Sequence, residues 1–201
     1  MQYGFVKIAA AAPKIRVADT EYNAKEIVRL MNEAHENGAK IVVFPELCVT
    51  GYTCSDLFHQ ELLLAGARRA LGEIVKASEG MDGLFFAGLP VEVEGKLYNA
   101  AAGFSGGKLL GLVPKTHIPN YSEFYERRHF TEAPEKTRLI RLPEWGEVPF
   151  GTDQIFVCEE FPALKVSAEI CEDVWSPNPP SIRHAMNGAT VIVNLDRKSV
   201  V

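Results

Sequence analysis

The N-terminal part of the chain alternates amphipathic segments of helical period with apolar runs of strand length, and this alternation constrains the fold most strongly. A helical segment between Asp19 and Gly38 precedes the apolar run Ile41–Phe44. A second helical segment, from about Leu57 to Ser78, precedes the apolar run Leu84–Leu89. A continuous apolar run of this length is typical of a strand that is covered on both faces. The pattern therefore predicts an α/β fold.

After Val91 the pattern changes from strand–helix alternation to hairpins. Glycine-containing turns at 94–96 and 105–108 separate short strands. The second turn is not a phosphate-binding loop, because the residues after it depart from the Ser-Gly-Gly-x-Asp-Ser pattern. Prolines predict an irregular surface loop over Thr131–Asp153. The remaining predicted elements are strands at Ile155–Val157, Leu164–Ile170 and Ala189–Leu195 and a short helix at Ser181–Asn187.

Composition limits the partners and the compartment that the chain can have. With 201 residues, of which 47% are hydrophobic, the chain suits one domain with a sizeable core. The net charge of −5, without a basic stripe, argues against nucleic acid as a partner. No apolar run approaches the length of a membrane helix, the N-terminus lacks the pattern of a secretory signal, and the cysteines form no Cys-x-x-Cys pair. We therefore expect a soluble cytoplasmic protein with reduced thiols, no membrane contact and no metal site.

Three residues with reactive side chains each follow an apolar strand. Glu46, Lys115 and Cys171 come just after the carboxyl ends of predicted strands, which is where ligands gather in α/β folds. Each residue has an ordinary explanation when it is taken alone. A Glu or a Lys in a loop is usually solvated, and an isolated Cys is usually buried as a small hydrophobic side chain. The recurrence of the pattern at three strand ends indicates a site.

In this order and context the three residues resemble the Glu-Lys-Cys triad of the nitrilase, or carbon-nitrogen hydrolase, superfamily. The surrounding sequences are Phe-Pro-Glu-Leu-Cys-Val-Thr-Gly-Tyr at 44–52, Pro-Lys-Thr-His-Ile-Pro-Asn-Tyr at 114–121 and Glu-Ile-Cys-Glu-Asp-Val-Trp at 169–175. More narrowly, the stretches Pro119–Arg128 and Cys171–Trp175 resemble the glutaminase domain of glutamine-dependent NAD+ synthetases. The resemblance extends over the whole chain. It implies a four-layer α-β-β-α sandwich, with two sheets face to face and helices outside.

The resemblance also implies an activity and its partners. In the family, the glutaminase domain releases ammonia from glutamine through a thioester on the Cys, without a cofactor. A separate synthetase domain uses that ammonia, with ATP and Mg²⁺, to convert deamido-NAD+ into NAD+. The present sequence contains no complete Ser-Gly-Gly-x-Asp-Ser loop, so we expect it to be unable to make NAD+ by itself.

The family's chemistry implies a role for each residue that matches its motifs. Glu46 would act as the general base, and Lys115 would stabilise the thiolate and the oxyanion. Glu126 would lie close to the triad and orient Lys115, a role for which Glu123 is the weaker alternative. The positions that line the glutamine pocket in the family correspond here to Tyr52, Tyr121, Phe124, Glu126 and Glu172. The carboxylate of Glu172 would pair with the α-ammonium group of the substrate.

The resemblance departs from the family pattern near the end of the sequence. In the family, the segment after the last strand typically begins Asn-Leu-Ser, whereas here Asn194-Leu195 is followed by Asp196 and the sequence ends at Val201. We expect from this that residues 1–201 form a truncated glutaminase domain. Later strands of the sandwich, a serine that helps to hold glutamine, and the synthetase domain would then be absent.

An incomplete sandwich would have further consequences. An open sheet edge would favour self-association, so we expect a homo-oligomer. Two alternatives to a glutaminase stay open. One is a carbon-nitrogen hydrolase that acts on another small amide, and the other is a non-catalytic fragment.

Overall fold

The computed structural model describes residues 4–197 and contains two β-sheets with helices on their outer faces. Within these residues, a seven-stranded sheet has the order β1-β2-β3-β4-β5-β7-β6 and a three-stranded sheet has the order β10-β9-β8. The strands are β1 (Ile8–Ala10), β2 (Ile41–Val43), β3 (Leu84–Val93), β4 (Lys96–Ser105), β5 (Lys108–Pro114), β6 (Arg138–Leu142), β7 (Gly146–Phe150), β8 (Phe156–Val157), β9 (Lys165–Ile170) and β10 (Val191–Leu195). The helices are α1 (Thr20–Glu36), α2 (Glu61–Ala77) and α3 (Pro180–Met186), with 3-10 helices at Tyr52–His59, Glu126–Arg128 and Cys171–Trp175. No helix of the described part has both the length and the apolar character that crossing a bilayer requires.

Helices α1 and α2 pack against one face of the large sheet. The carboxylate of Asp19 caps α1 by accepting a hydrogen bond of 3.1 Å from the backbone N–H of Tyr22, and a cap of this kind contributes about 1 kcal/mol. Both helices carry apolar side chains at helical spacing on the face that meets the sheet. The buried layer that results contains Ile27, Met31, Ala67, Leu71, Ile74, Phe85 and Phe104.

The two sheets face each other across a second apolar layer. In β9 the side chains alternate: Val166, Ala168 and Ile170 pack against buried residues of the large sheet, and Glu169 points to the other face. A carboxylate oxygen of Glu169 accepts a 3.0 Å hydrogen bond from the backbone N–H of Ser181, so α3 covers the outer face of the small sheet. The layers are therefore α, β, β and α, and the predicted nitrilase-like α/β fold class is confirmed.

Two predictions about elements are wrong. The segment Thr131–Asp153, predicted as an irregular loop, contains the antiparallel hairpin β6–β7. Ile140, Leu142, Val148 and Phe150 of this hairpin pack into the core, whereas Leu139 is exposed. Pro149 is tolerated because β7 pairs with β5 at a single register position, Leu112 with Phe150. The helix predicted from about Leu57 begins at Glu61, because residues 52–59 form a 3-10 helix instead.

The strand directions bring the three predicted site residues toward one region. β2 is parallel to β3, and the antiparallel pairings of β3 with β4 and of β4 with β5 make β5 parallel to β2. The carboxyl ends of β2 and β5 therefore lie at the same edge of the large sheet, with Glu46 and Lys115 just beyond them. Cys171 follows β9 in the facing sheet.

Candidate active site

A buried ion cluster occupies the edge of the large sheet. The ammonium nitrogen of Lys115 lies 2.6 Å from Oε1 of Glu46 and 2.8 and 2.9 Å from the two carboxylate oxygens of Glu126. The side chains of Lys115 and Glu46 are fully buried, and Glu126 is almost so. Burying charges is costly unless they are paired and hydrogen-bonded, as these are. The cluster therefore fixes the positions of Glu46 and Lys115, and Glu126 contacts the ammonium of Lys115.

Asn99 and Tyr52 complete the hydrogen bonding of the cluster. The side-chain amide of Asn99 donates to Oε1 of Glu46 at 2.7 Å and to Oε2 of Glu126 at 3.4 Å. The hydroxyl of Tyr52 donates to Oε1 of Glu126 at 2.8 Å. The other oxygen of Glu46, Oε2, is buried and has no hydrogen-bond partner within residues 4–197. This oxygen is the acceptor of the cluster that stays available to a reacting group.

The protonation properties of the cluster follow from burial and from the mutual charges. Burial raises the pKa of Glu46 to about 7, with a further increase from Glu126, while Lys115 opposes the rise. Burial opposes the charge on Lys115, but Glu46 and Glu126 outweigh it and raise the pKa of the ammonium. Near neutral pH, Lys115 is therefore charged and Glu46 can both take up and release a proton.

Cys171 lies at a sharp turn between β9 and a 3-10 helix. Its φ angle is 43°, in the left-handed region, which costs a non-glycine residue roughly 1–3 kcal/mol. The side chain of Asn194 supports this conformation: Oδ1 accepts from the backbone N–H of Cys171 at 3.1 Å, and Nδ2 donates to the carbonyl of Cys171 at 3.3 Å. The turn exposes part of the thiol and the backbone N–H groups that follow it.

Asp173 connects the turn at Cys171 with the segment that follows Lys115. Its Oδ1 accepts from the backbone N–H groups of His117 and Thr116 at 2.7 and 3.1 Å, and its Oδ2 accepts from that of Ile170 at 3.1 Å. Asp173 is buried, and burial raises its pKa to about 6, against the opposing effect of these hydrogen bonds. The carboxylate of Asp173 therefore fixes the turn at Cys171 relative to the segment that follows Lys115.

The thiol of Cys171 faces the charges of the cluster without touching it. No hydrogen bond joins the thiol to Glu46 or Lys115 in the described part of the chain, and the thiol donates instead to Oδ1 of Asp196 at 3.1 Å. Burial and the charge of Glu46 raise the pKa of the thiol, while Lys115 lowers it. Near neutral pH, the Cys171 side chain is therefore a neutral thiol.

The residues predicted to bind substrate fall into two places. Glu126 belongs to the ion cluster, whereas Tyr121 is exposed and donates from its hydroxyl to Oε1 of Glu172 at 2.7 Å. The rings of Tyr52 and Phe124 both face the guanidinium of Arg197, at 4.8 and 4.7 Å. Glu123, the weaker alternative to Glu126 as the residue that orients Lys115, lies 3.8 Å from Arg197 instead.

A cavity of about 560 Å³ adjoins these residues. Its walls include Tyr52, Glu123, Glu126 and Arg197. Glu46, Lys115 and Cys171 are not among the residues that line it. The volume exceeds that of a small amino acid, and the walls combine aromatic faces with charges of both signs. Within the described residues, no group of three or more His, Cys, Asp and Glu side chains is placed to hold a metal ion.

Sequence reasoning missed four polar residues of the site: Asn99, Asp173, Asn194 and Asp196. Asn99 left a detectable signal, because it is a polar residue in the middle of the apolar strand β4. Asp173 and Asn194 lie within recognisable motifs, but their partners lie far away in the sequence. A carboxylate partner for the thiol could not be inferred from the position of Asp196 alone.

The fold and the site together define the class of protein. The chain matches the carbon-nitrogen hydrolase family model over residues 7–200, and it belongs to this family. Among solved structures, an amidase from Nesterenkonia sp. AN1 shares the fold, with a TM-score of 0.69 at 20% identity over 96% of this chain and 67% of that one.

Within the family, the chain is similar to the N-terminal part of glutamine-dependent NAD+ synthetases. It is 37% identical over 194 residues to the enzyme of Mycobacterium tuberculosis and 31% identical over 191 residues to that of Aquifex aeolicus. These alignments cover 96% and 95% of this chain but only 28% and 30% of the relatives. A crystal structure of the enzyme from Cytophaga hutchinsonii superimposes with a TM-score of 0.83 at 30% identity, covering 95% of this chain and 30% of that one. The chain thus spans less than a third of the length of these synthetases.

Proposed function

We propose that the chain hydrolyses the side-chain amide of glutamine through a thioester on Cys171. The ammonia would serve the ATP- and Mg²⁺-dependent conversion of deamido-NAD+ into NAD+ by a synthetase domain. The observation that carries the proposal is the buried Glu46–Lys115–Glu126 cluster, which faces a thiol at a strained strand end. The similarity to glutamine-dependent NAD+ synthetases supports glutamine as the amide.

Acylation begins when the Cys171 sulfur attacks the amide carbon and Glu46 takes the thiol proton. Oε2 of Glu46 is the suitable acceptor, because it has no partner in the described structure and the pKa of Glu46 is about 7. The negative charge that develops on the amide oxygen is stabilised by the Lys115 ammonium and by the backbone N–H of Glu172. Each such donor contributes roughly 3 kcal/mol.

Collapse of the tetrahedral intermediate breaks the carbon–nitrogen bond. Glu46 returns its proton to the departing nitrogen, which leaves as ammonia, and the thioester remains on Cys171. Water then adds to the thioester while Glu46 takes a proton from it. The carbon–sulfur bond breaks, the sulfur recovers the proton, and glutamate leaves.

Recognition of the amino-acid end of glutamine is assigned to the outer residues of the site. Glu172, held by the hydroxyl of Tyr121, would pair with the α-ammonium group. The aromatic faces of Tyr52 and Phe124 would flank the aliphatic part of the substrate. In this proposal Glu126 acts on Lys115 rather than on the substrate, as its two short contacts with the ammonium suggest.

The test is the release of glutamate and ammonia from glutamine by the purified chain, compared with the release of ammonia from propionamide. We expect slow but measurable turnover of glutamine and a marked preference over propionamide. Cys171→Ala should abolish the activity, and Cys158→Ala, a change at another partly exposed cysteine, should retain it. Faster hydrolysis of propionamide, or retained activity in Cys171→Ala, would contradict the proposal.

A further inference from the structure

The segment after β10 reaches the nucleophile. Oδ1 of Asp196 accepts a hydrogen bond of 3.1 Å from the thiol of Cys171, and no other side-chain hydrogen bond of this thiol is found in residues 4–197. This contact places a carboxylate directly beside the sulfur of Cys171. A hydroxyl at that position would place no negative charge beside the sulfur.

Arg197 anchors Asp196 in this position. Its guanidinium lies over the rings of both Tyr52 and Phe124, at 4.8 and 4.7 Å, and one of its nitrogens is 3.8 Å from a carboxylate oxygen of Glu123. Contacts with two aromatic faces and one carboxylate restrict the side chain of Arg197. Because Arg197 is the next residue in the chain, they also restrict the carboxylate of Asp196.

We propose that Asp196 restrains the nucleophile: its carboxylate accepts the Cys171 thiol as a hydrogen-bond donor and keeps that proton away from Glu46, while Arg197 holds Asp196 in place. The inference rests on the proposed role of Cys171 as the nucleophile. No proton is transferred to Asp196 in this resting arrangement. The thiol becomes reactive when it turns from Asp196 to Oε2 of Glu46.

The charged groups around Cys171 determine whether its sulfur is favoured as a thiol or as a thiolate. Glu46, from the large sheet, and Asp196, from the segment after β10, both favour the protonated thiol, whereas Lys115 and the backbone N–H of Arg197 favour the thiolate. On its own element, Glu172 is bound to the hydroxyl of Tyr121, and Asp173 is bound to backbone amides. Asp196 is the carboxylate in direct contact with the sulfur, so removing its charge should ease formation of the thiolate.

Substrate binding would disturb the same segment. The guanidinium of Arg197 occupies the space between Tyr52 and Phe124, which is where the proposed function places the aliphatic part of glutamine. Entry of glutamine would displace Arg197, and Asp196 would move with it. The thiol proton would then be released toward Glu46 when a substrate is present.

The test is the rate at which iodoacetamide alkylates Cys171, followed by mass mapping as a function of pH. For Asp196→Asn we expect about tenfold faster alkylation at neutral pH and a midpoint about one pH unit lower. Asp196→Glu should stay close to the parent because it keeps the carboxylate. Arg197→Ala should give a smaller acceleration, about threefold, because it loosens the anchor but keeps the charge. Asp82→Asn, at the opposite end of the parallel strands, is the matched control and should leave the rate unchanged.

The alkylation rates of the variants decide whether Asp196 restrains the thiol. Slower alkylation in Asp196→Asn would mean that Asp196 acts as a base, and an unchanged rate would mean that its contact has no effect; either result overturns the inference. Should Asp196→Asn fail to fold, as judged by circular dichroism, Arg197→Ala decides, and an unaccelerated rate there also overturns it. A diazo-ketone glutamine analogue serves as a separate probe. If it leaves Cys171 unmodified while iodoacetamide shows the expected shifts, the proposed function fails and the restraint by Asp196 stands.

Discussion

The two halves of the candidate site are built in different ways. The half on the large sheet consists of Glu46, Lys115 and Glu126, which are buried and joined by contacts of 2.6–2.9 Å. The half on the small sheet consists of a partly exposed Cys171 at a positive φ angle, held mainly by the side chain of Asn194. Loss of Lys115 would leave two buried carboxylates of the first half without their cation. The second half can be altered at little cost to the fold, which makes it the place where reactivity can be tuned.

Replacing Lys115, the cation of the buried half, should have the largest effect on both stability and turnover. It would test whether this half of the site also stabilises the fold. In Lys115→Met, two buried carboxylates lose their ammonium, so we expect a loss of about 3–5 kcal/mol in the free energy of unfolding and no measurable turnover. Denaturant titration at pH 7.5 measures the first effect. Lys25→Met removes an exposed lysine and should leave stability nearly unchanged.

The pH dependence of Lys115→Met sharpens this prediction. Burial raises the pKa of Glu46 above its value in the unfolded chain, and without the cation nothing in the cluster opposes this rise as Lys115 does. A group with a raised pKa in the folded state stabilises the fold below its unfolded pKa, and that contribution is lost as the pH rises through the folded pKa. The variant should therefore regain stability on acidification from pH 7.5 toward pH 5, and a loss that is equal at both pH values would contradict the account.

Replacing Glu46, the proposed general base, should give the next largest effect. It should lower glutamine turnover and leave the fold intact. Glu46→Gln keeps the shape of the side chain but cannot take the thiol proton, so we expect glutamine turnover to fall about 10²–10⁴-fold with normal circular dichroism. In the parent, the rate should rise as the pH passes about 7, where Glu46 ionises; this dependence should vanish in the variant. Glu36→Gln, on the exposed end of α1, should behave as the parent. Near-parental turnover in Glu46→Gln would require another base.

Asp173 joins the two halves, so its replacement tests whether they depend on each other. In Asp173→Asn, one oxygen can still accept from the amides after Lys115, but the amide nitrogen replaces the acceptor that faces the N–H of Ile170. We expect a loss of about 1–3 kcal/mol in stability and a fall of about tenfold in turnover. Asp153→Asn, at an exposed position, serves as the control. An effect on stability without any on turnover would show that the halves are independent.

The smallest effect on stability should come from a replacement in the half on the small sheet, which contains Cys171. Asn194→Ala removes the two hydrogen bonds that support the turn at Cys171, so we expect a cost of about 1 kcal/mol but a fall in turnover of about tenfold, because the sulfur is no longer fixed in place. Asn187→Ala, at the exposed end of α3, is the matched control. A loss of stability as large as that of Lys115→Met would remove the distinction between the two halves.

The parts of this architecture that the sequence predicts are those that rest on local pattern. The strand ends at Glu46, Lys115 and Cys171, the helix between Asp19 and Gly38 and the hairpins of β3, β4 and β5 depend on neighbouring residues, and the structure contains all of these elements. The sequence does not predict the hairpin β6–β7, because prolines are typical of loops. The burial of this hairpin depends on its packing against β5 and α2, which local pattern does not show.

The polar contacts of the site depend instead on residues far apart in the sequence. Asn99 binds the carboxylate of Glu46 across 53 positions, and Asp196 reaches Cys171 across 25. Such pairs form only when strands that are far apart in the sequence have assembled into one sheet, so spacing gives no sign of them. A polar residue within an apolar strand, such as Asn99, is the local sequence feature that best indicates a contact of this kind.

The most direct test of the central claim is mass mapping after treatment with a diazo-ketone analogue of glutamine. The account predicts modification of Cys171 alone, because a base and a cation act on this thiol. Cys48 and Cys54 are buried, whereas Cys171 is partly exposed, so both should stay unmodified. The same treatment of Glu46→Gln should label Cys171 much more slowly. Labelling of Cys48 with Cys171 left intact would contradict the assignment of the site.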